Sequence, residues 1–458
     1  MTKYFGTMQF YKRALLIAVP VMLQQLIQTL VSLVDSFMVS GLGDVKMSGV
    51  NIAGQILFVF MIFVNTVCTS GGIFMTQFSG AKDKDGMQQS LRFKIIASCM
   101  AMALFFAVCL IFPRQVLSLM VIGNNQAEEI LDVAEEYIRL MSIIGIPMMI
   151  STIIASSLRE IGRVKPPLVI SIAATLINTF FNWVLIYGNL GAPRLEIRGA
   201  AYATIIARIV EMILFVGYIV IRRQPFMFRL STIWKVDFSL FRQILRKGTL
   251  VLFSEMLWVV SETVTSALYN QRGGAEVVSG MASSFAIANL YFVAIGGMNM
   301  ATAVIIGHTL GEGRLEEARQ QKNWMLSASV VFGLLMTGMG MLTTFLVPVV
   351  FGNLSAGAQK ICKDMVLMMS FFMPCWVYVN TQFSIARSGG DTKMGAVTDG
   401  IFTLAIAMPG IFLLALFTTV GPVMMYFFVK IVDIPKVIFA HFWLKKGRWI
   451  KNLTAQET

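Results

Sequence analysis

The sequence predicts an all-α integral membrane protein, with twelve transmembrane helices in two pseudo-symmetric six-helix bundles. Three observations carry this. Of the 458 residues, 57% are hydrophobic and only 13% charged, where a soluble domain has about 25% charged. Apolar runs of about 20 residues recur along the whole chain, and a helix of that length crosses a hydrocarbon core of about 30 Å. Motifs of the first half return in the second. The runs are too long for strands and lack strand alternation, which argues against a β-barrel.

In chain order the spans are expected at 14–39, 49–75, 91–112, 136–158, 166–188, 199–221, 245–270, 278–306, 324–348, 364–386, 394–417 and 420–443. The first follows Lys3, Lys12 and Arg13 but is long for a signal peptide and lacks an evident cleavage site. With the amino terminus placed inside, loops, tails and adjoining helix ends carry 26 Lys and Arg inside and 7 outside. Under the positive-inside rule both termini are cytoplasmic.

The longest cytoplasmic connection, 222–247, holds Arg222, Arg223, Arg229, Lys235, Arg242, Arg246 and Lys247. It divides the chain into an amino-terminal lobe (1–221), a linker (222–247) and a carboxy-terminal lobe with a cytoplasmic tail (248–458). Its charge reads as a topological anchor, with lipid head groups as the alternative contact. The net charge of +13 lies largely in such loops, and no aromatic–basic module accompanies it, so nucleic acid is not an expected partner. Cys68, Cys99, Cys109, Cys362 and Cys375 are scattered, and His308 and His441 lie far apart. Neither a disulfide framework nor a metal site is expected.

The repeat is visible at two offsets. Gly43–Gly49 parallels Gly274–Gly280, and Gln77–Gly80 meets His308–Gly311, both 231 residues apart. Arg159–Lys165 matches Arg387–Lys393 at 228. Each half has six spans, so the halves share one orientation, with an axis along the membrane normal. Such duplication is common in transporters, with cargo handled at the repeat interface.

An ionisable group at mid-bilayer costs about 2.5–3.5 kcal/mol, so each one in a span is a functional candidate. In the first span Gln25, Gln28, Thr29, Ser32, Asp35 and Ser36 share an arc of about 120° on a helix. They form a polar stripe facing a cavity, with Pro20 one turn before it as a kink. In the fifth span Ser171, Thr175, Asn178 and Asn182 make a second stripe. Two amides i,i+4 apart can hydrogen-bond a carboxylate or offer carbonyl oxygens to a small cation, and opposite Asp35 they would complete a site. Asparagine as interhelical glue is the bland alternative.

In the seventh span Glu255, Trp258, Glu262, Thr265, Ser266 and Tyr269 share a face. Two acids with aromatic rings suit an organic cation. Asp399 in the eleventh span is a further acid, near enough to the cytoplasmic end to snorkel. Its repeat counterpart is Ser171. Arg208 with Glu211 and Lys430 with Asp433 are expected as neutralising i,i+3 pairs.

Several segments together resemble the multidrug and toxic compound extrusion (MATE) family. They are Pro20–Gln25 leading to Val34–Asp35, Leu158–Pro167, Asn178–Ile186, Gly199–Thr204, Glu255–Trp258 and Arg387–Lys393. Each is modest alone; their order and spacing span nearly the whole chain. The resemblance implies two six-helix bundles in a V around a central cavity, in a bacterial inner (plasma) membrane. It implies alternating-access efflux of amphipathic, often cationic compounds in exchange for protons or sodium ions, with no other cofactor. A monomer is expected.

By position, Asp35 matches the family's first-helix acid, a proposed coupling residue, and Asn178 the asparagine near it. Asn182 stands where some members carry an acid. Glu255 matches a seventh-span acid. The expected ion-coupling set is therefore Asp35, Asn178, Asn182, Gln28, Ser32 and Thr175. Gln25, Glu255, Trp258, Glu262, Tyr269 and Asp399 are expected to line the cargo cavity. A related lipid or lipid-linked saccharide flippase is the alternative, but the inward stripes carry acids rather than arginines. The major facilitator pattern is missing from loop 80–86. An enzyme would need a catalytic grouping, which the sequence does not offer, and a channel would need a filter or symmetric ring.

Overall fold

The computed structural model describes residues 4–40, 44–120 and 127–455. Gly43 and the Ser36 side chain, both singled out above, lie outside the described residues. The described chain is helical, without a strand. Its elements are α1 (Met8–Ser40), α2 (Asp44–Gly80), α3 (Lys84–Phe106, continued by a π-helical turn at Ala107–Ile111), α4 (Pro113–Ser118), α5 (Ala127–Met141), α6 (Gly145–Glu160), α7 (Lys165–Tyr187), α8 (Glu196–Ile221) and α9 (Phe238–Asn270). Then follow α10 (Ala275–Gly311), α11 (Leu315–Thr343), α12 (Val347–Val350), α13 (Ala356–Ser388), α14 (Lys393–Asp399), α15 (Met408–Phe417), α16 (Pro422–Lys430) and α17 (Asp433–Lys445). A 3-10 turn joins α5 to α6, and a π-helical stretch at Gly400–Ala407 joins α14 to α15.

Among the described residues, eleven continuous helical segments are long and apolar enough to cross a membrane. They coincide with the first eleven expected spans, and most overrun them because polar end turns remain helical. The twelfth, 420–443, is not one helix: α16 and α17 are separated at Ile431–Val432. Pro435 has no N–H for the carbonyl one turn back, which disfavours an unbroken helix there. The chain is a multi-pass membrane protein.

The helices group into two compact units. The amino-terminal unit holds Leu23–Met75 and Asp83–Ile244; the carboxy-terminal unit holds Met1–Met22, Thr76–Lys82 and Leu245–Thr458. This differs from the expected division at 221 and 247, since the start of α1 and the end of α2 belong with the second half. The expected linker, through Ile244, belongs with the first. Its aromatic residues are the reason. The Arg92 guanidinium lies 4.7 Å from the centre of the Phe228 ring. Phe93 and Phe241 meet edge-on at 5.0 Å, and Gln88 Nε2 donates to the Met227 carbonyl at 2.9 Å.

In the amino-terminal unit α8 packs against α5, α6 and α7, and α3 against α6. Between α3 and α6 lies a buried ion pair. Lys94 donates to Glu160, and to Ser157 Oγ and Ser156 Oγ at 3.2 and 3.3 Å. Ser156 Oγ donates to the other Glu160 oxygen. Gly71 and Gly72 of α2 make room: a Cβ at Gly71 would meet the Lys94 stem, and one at Gly72 the Glu160 carboxylate. A desolvated pair is tolerated only when its hydrogen bonds are satisfied, as these are.

In the carboxy-terminal unit α13 packs along α10 and α11, with α17 against it. Met281, Met365, Met369, Met425, Tyr269 and Tyr426 form part of its core. Here α2 ends against α10. A Cβ at Gly80 would strike the His308 carbonyl oxygen, and one at Gly311 the Gln77 carbonyl oxygen. Gly80 and Gly311 differ by 231 in number, as do Gln77 and His308, so the contact is reciprocal.

The repeat is preserved in the backbone. Gly162 and its counterpart 228 residues on, Gly390, are both left-handed, with φ of 82° and 75°. Arg163 N donates to Leu158 O at 2.8 Å, as Asp391 N does to Ala386 O at 2.9 Å. This 6→1 bond around a left-handed residue is the Schellman way of ending a helix. Lys82 and Gly313, at offset 231, are also both left-handed, at 58° and 78°.

Candidate functional site

Two polar stripes meet in the amino-terminal unit. The second half of α1 presents Gln28, Ser32 and Asp35; α7 presents Ser171, Thr175 and Asn178; α8 adds Thr204, Arg208 and Glu211. Together they line a cavity of about 180 Å³. The stripes exist because apolar residues claim the remaining faces of helices whose polar positions recur every three to four residues.

Asp35 is the centre. Asn182 Nδ2 donates to its Oδ1 at 2.6 Å. The Asn178 amide end also lies against this carboxylate, 3.1 and 3.2 Å from Oδ2 and Oδ1, and donates to it when its nitrogen takes that place. The two amides are therefore both directed at the acid. Arg208 is engaged by Glu211 at 2.8 Å, the expected i,i+3 pair. Asp35 has no ion-pair partner of its own among the described residues. Asn182 Oδ1 is buried with no hydrogen-bond partner among the described residues. The site thus offers one carboxylate and an unused amide oxygen, both oxygen ligands suited to a hard cation or an exchangeable proton. Gln25 is half-buried on the same helix and does not line this cavity.

Where α6 ends, this unit holds a network that the sequence analysis did not assign. Arg159 Nη1 donates to Gln24 Oε1 at 3.2 Å, and Gln24 Nε2 donates to Ser171 Oγ at 2.8 Å. The repeat offset of 231 pairs Gln24 with Glu255 and could have drawn attention to it. The Lys94–Glu160 pair is 66 residues apart in the chain, so helix periodicity alone does not bring it together.

In the carboxy-terminal unit each of the three acids expected at the cargo cavity has a basic partner. Glu255 accepts from Arg387 Nη2 at 3.1 Å, Glu262 accepts from Lys430, and Asp399 pairs with Lys436 at 2.7 Å. Lys430 is therefore not on Asp433, which instead accepts from Trp376 Nε1 at 2.8 Å. Asp399 does not snorkel; it is buried just before the π-helical stretch. Trp258 is exposed, whereas Tyr269 is only 1% exposed and packs in the methionine-rich core. The expected shared face of α9 is thus divided between surface and core.

Comparison with known proteins agrees with this architecture. The MatE family model matches residues 20–184 and 251–420. The chain is 25% identical over 326 residues to the probable multidrug resistance protein NorM of Rhizobium meliloti, covering 70% of this chain and 68% of that protein. Its namesake from Halalkalibacterium halodurans is 24% identical over 414 residues, covering 90% and 89%. A crystal structure of MATE in the bent conformation superposes with a TM-score of 0.85 at 18% identity, covering 96% of this chain and 95% of that one. With the model matched in both halves, the chain belongs to the MatE family of membrane transporters.

Proposed function

We propose that this chain is an antiporter that exports amphipathic, cationic organic compounds from a bacterial cytoplasm by alternating access, driven by protons or sodium ions. The observation that carries the reading is Asp35. It is the acid on the cavity wall held by two amides rather than by a lysine or arginine. The relatives named as multidrug resistance proteins support the cargo class. Gln28, Ser32, Thr175, Asn178 and Asn182 serve as the polar lining that holds the ion at Asp35.

A proton or sodium ion and a cationic compound compete for one negative charge. If the ion entering from outside favours cargo release, and cargo from inside favours the return, exchange is coupled. Each charge moved through 100 mV supplies about 2.3 kcal/mol, and a tenfold gradient needs about 1.4 kcal/mol. One net charge therefore sustains more than a tenfold gradient of cargo. Counterflow in proteoliposomes with imposed pH or sodium gradients tests this. Cargo movement that follows one gradient identifies the ion; movement indifferent to both overturns the reading.

A further inference from the structure

Lys430 ends α16, and the helix is interrupted before Asp433 begins α17. Its ammonium sits on Glu262 of α9. The Trp376 and Tyr426 ring centres lie 5.8 and 5.5 Å from Nζ. Tyr269 is buried behind Tyr426, with ring centres 5.9 Å apart. An acid beside two aromatic rings is what a small organic cation requires. In this structure a tethered ammonium fills that place.

Two features set this pair apart from a structural one. The Lys94 and Glu160 side chains are 0% and 6% exposed, whereas those of Lys430 and Glu262 are 17% and 27% exposed. A competitor can therefore approach the second pair. A second acid, Asp433, lies three residues along and accepts from Nε1 of Trp376 at 2.8 Å, the same ring whose centre is 5.8 Å from Lys430 Nζ. One lysine beside a helix break, with two acids available, makes a two-position element.

We propose that Lys430 is a built-in competitor for organic cations. A positively charged cargo group binds Glu262 beside Trp376 and Tyr426 as Lys430 transfers to Asp433. This rests on the cation-efflux reading above. The exchange leaves each acid with one cation, so only cargo carrying positive charge can drive it. The apparent affinity is set by the difference between the two positions of Lys430.

The test is equilibrium binding to the purified full-length protein. Tetraphenylphosphonium serves as the cation, triphenylphosphine oxide as the neutral probe and tetraphenylborate as the anion. Lys430→Met removes the competitor and should tighten cation binding by roughly tenfold, with little change for the neutral probe. Asp433→Asn removes the second position and should weaken cation binding by roughly fivefold. A merely structural role for Asp433 would move both probes together. If Lys430→Met does not fold, Asp433→Asn decides alone. Unchanged cation binding in the variants, beside a wild type that binds it, overturns the competitor and leaves cation efflux standing. A wild type that binds no cation overturns both. Tetraphenylborate binding that Lys430→Met abolishes would identify an anion site and overturn the competitor as well.

Discussion

Arg387 donates to Glu255 at 3.1 Å in the carboxy-terminal unit, just as Arg159 donates to Gln24 at 3.2 Å in the amino-terminal unit. The arginines are 228 residues apart and their acceptors 231, the two offsets of the internal repeat. Each arginine lies in the last turn of a helix that closes on a left-handed glycine, Gly162 or Gly390. The acceptors differ, an amide in one half and a carboxylate in the other. The position of Glu255 is thus one that the fold fills with a neutral group elsewhere.

Glu255→Gln should therefore be mild. The amide can accept from Arg387 as Gln24 accepts from Arg159, and a partly exposed ion pair contributes only about 0.2–1 kcal/mol. Thermal unfolding of the purified variant should shift by a few degrees at most, on the order of what 1 kcal/mol produces. Transport of cationic and neutral cargo should fall together, if at all. A selective loss of cationic cargo would show instead that Glu255 touches it.

Lys94 and Glu160 call for the opposite outcome. Both are buried, and Ser156 and Ser157 complete their hydrogen bonds. Lys94→Met strands a carboxylate and Glu160→Gln an ammonium, at a cost of about 3–5 kcal/mol each. The double variant Lys94→Met with Glu160→Gln should recover much of that loss. Unfolding of the three variants measures the coupling, and additive single effects would remove the pair from the account of stability.

Glycine substitutions along the spans offer a contrast within one protein. Gly80→Ala drives a methyl group into the His308 backbone, and Gly311→Ala into that of Gln77, so no rotamer change relieves either. Overpacking of this kind costs about 1–3 kcal/mol. Gly54 and Gly338 have nothing within 4 Å of an added Cβ. Alanine there should be neutral or stabilising by up to about 1 kcal/mol. Folded yield and unfolding temperature of the four variants should separate into these two classes; equal behaviour would refute the close crossing of α2 and α10.

Eleven spans were legible because lipid demands long apolar helices whose backbone bonds are internal. The stripes of α1 and α7 were legible because 3.6-residue periodicity says which residues share a face. It does not say which helix that face meets. Glu255 and Arg387 are 132 residues apart, and Glu262 and Lys430 are 168 apart, so pairing them needed the packed structure. Lys430 was matched to Asp433 by an i,i+3 rule that assumes an unbroken helix, and the break at Ile431–Val432 removes that assumption. Tyr269 was placed on a cavity wall because its face was right; core packing decided otherwise.

Asp35→Asn is the decisive change for the proposed function. The amide occupies nearly the same volume, and α1 stays anchored nearby by Gln24 on Ser171 and by Tyr187, whose hydroxyl donates to the Met38 carbonyl at 3.4 Å. Folding should therefore be retained. What is lost is the charge for which the ion and the cargo compete. Gradient-driven cargo exchange in proteoliposomes should fall to background, while binding of a cationic probe to the carboxy-terminal unit persists. Asn182→Ala removes the 2.6 Å hydrogen bond and the unused amide oxygen beside Asp35 but spares the acid. It should leave exchange coupled and raise the ion concentration needed for half-maximal rate, on the order of the tenfold that about 1.4 kcal/mol represents. Full gradient-driven exchange by Asp35→Asn would place coupling elsewhere in the chain, and an unchanged ion requirement in Asn182→Ala would reduce the two amides to interhelical contacts.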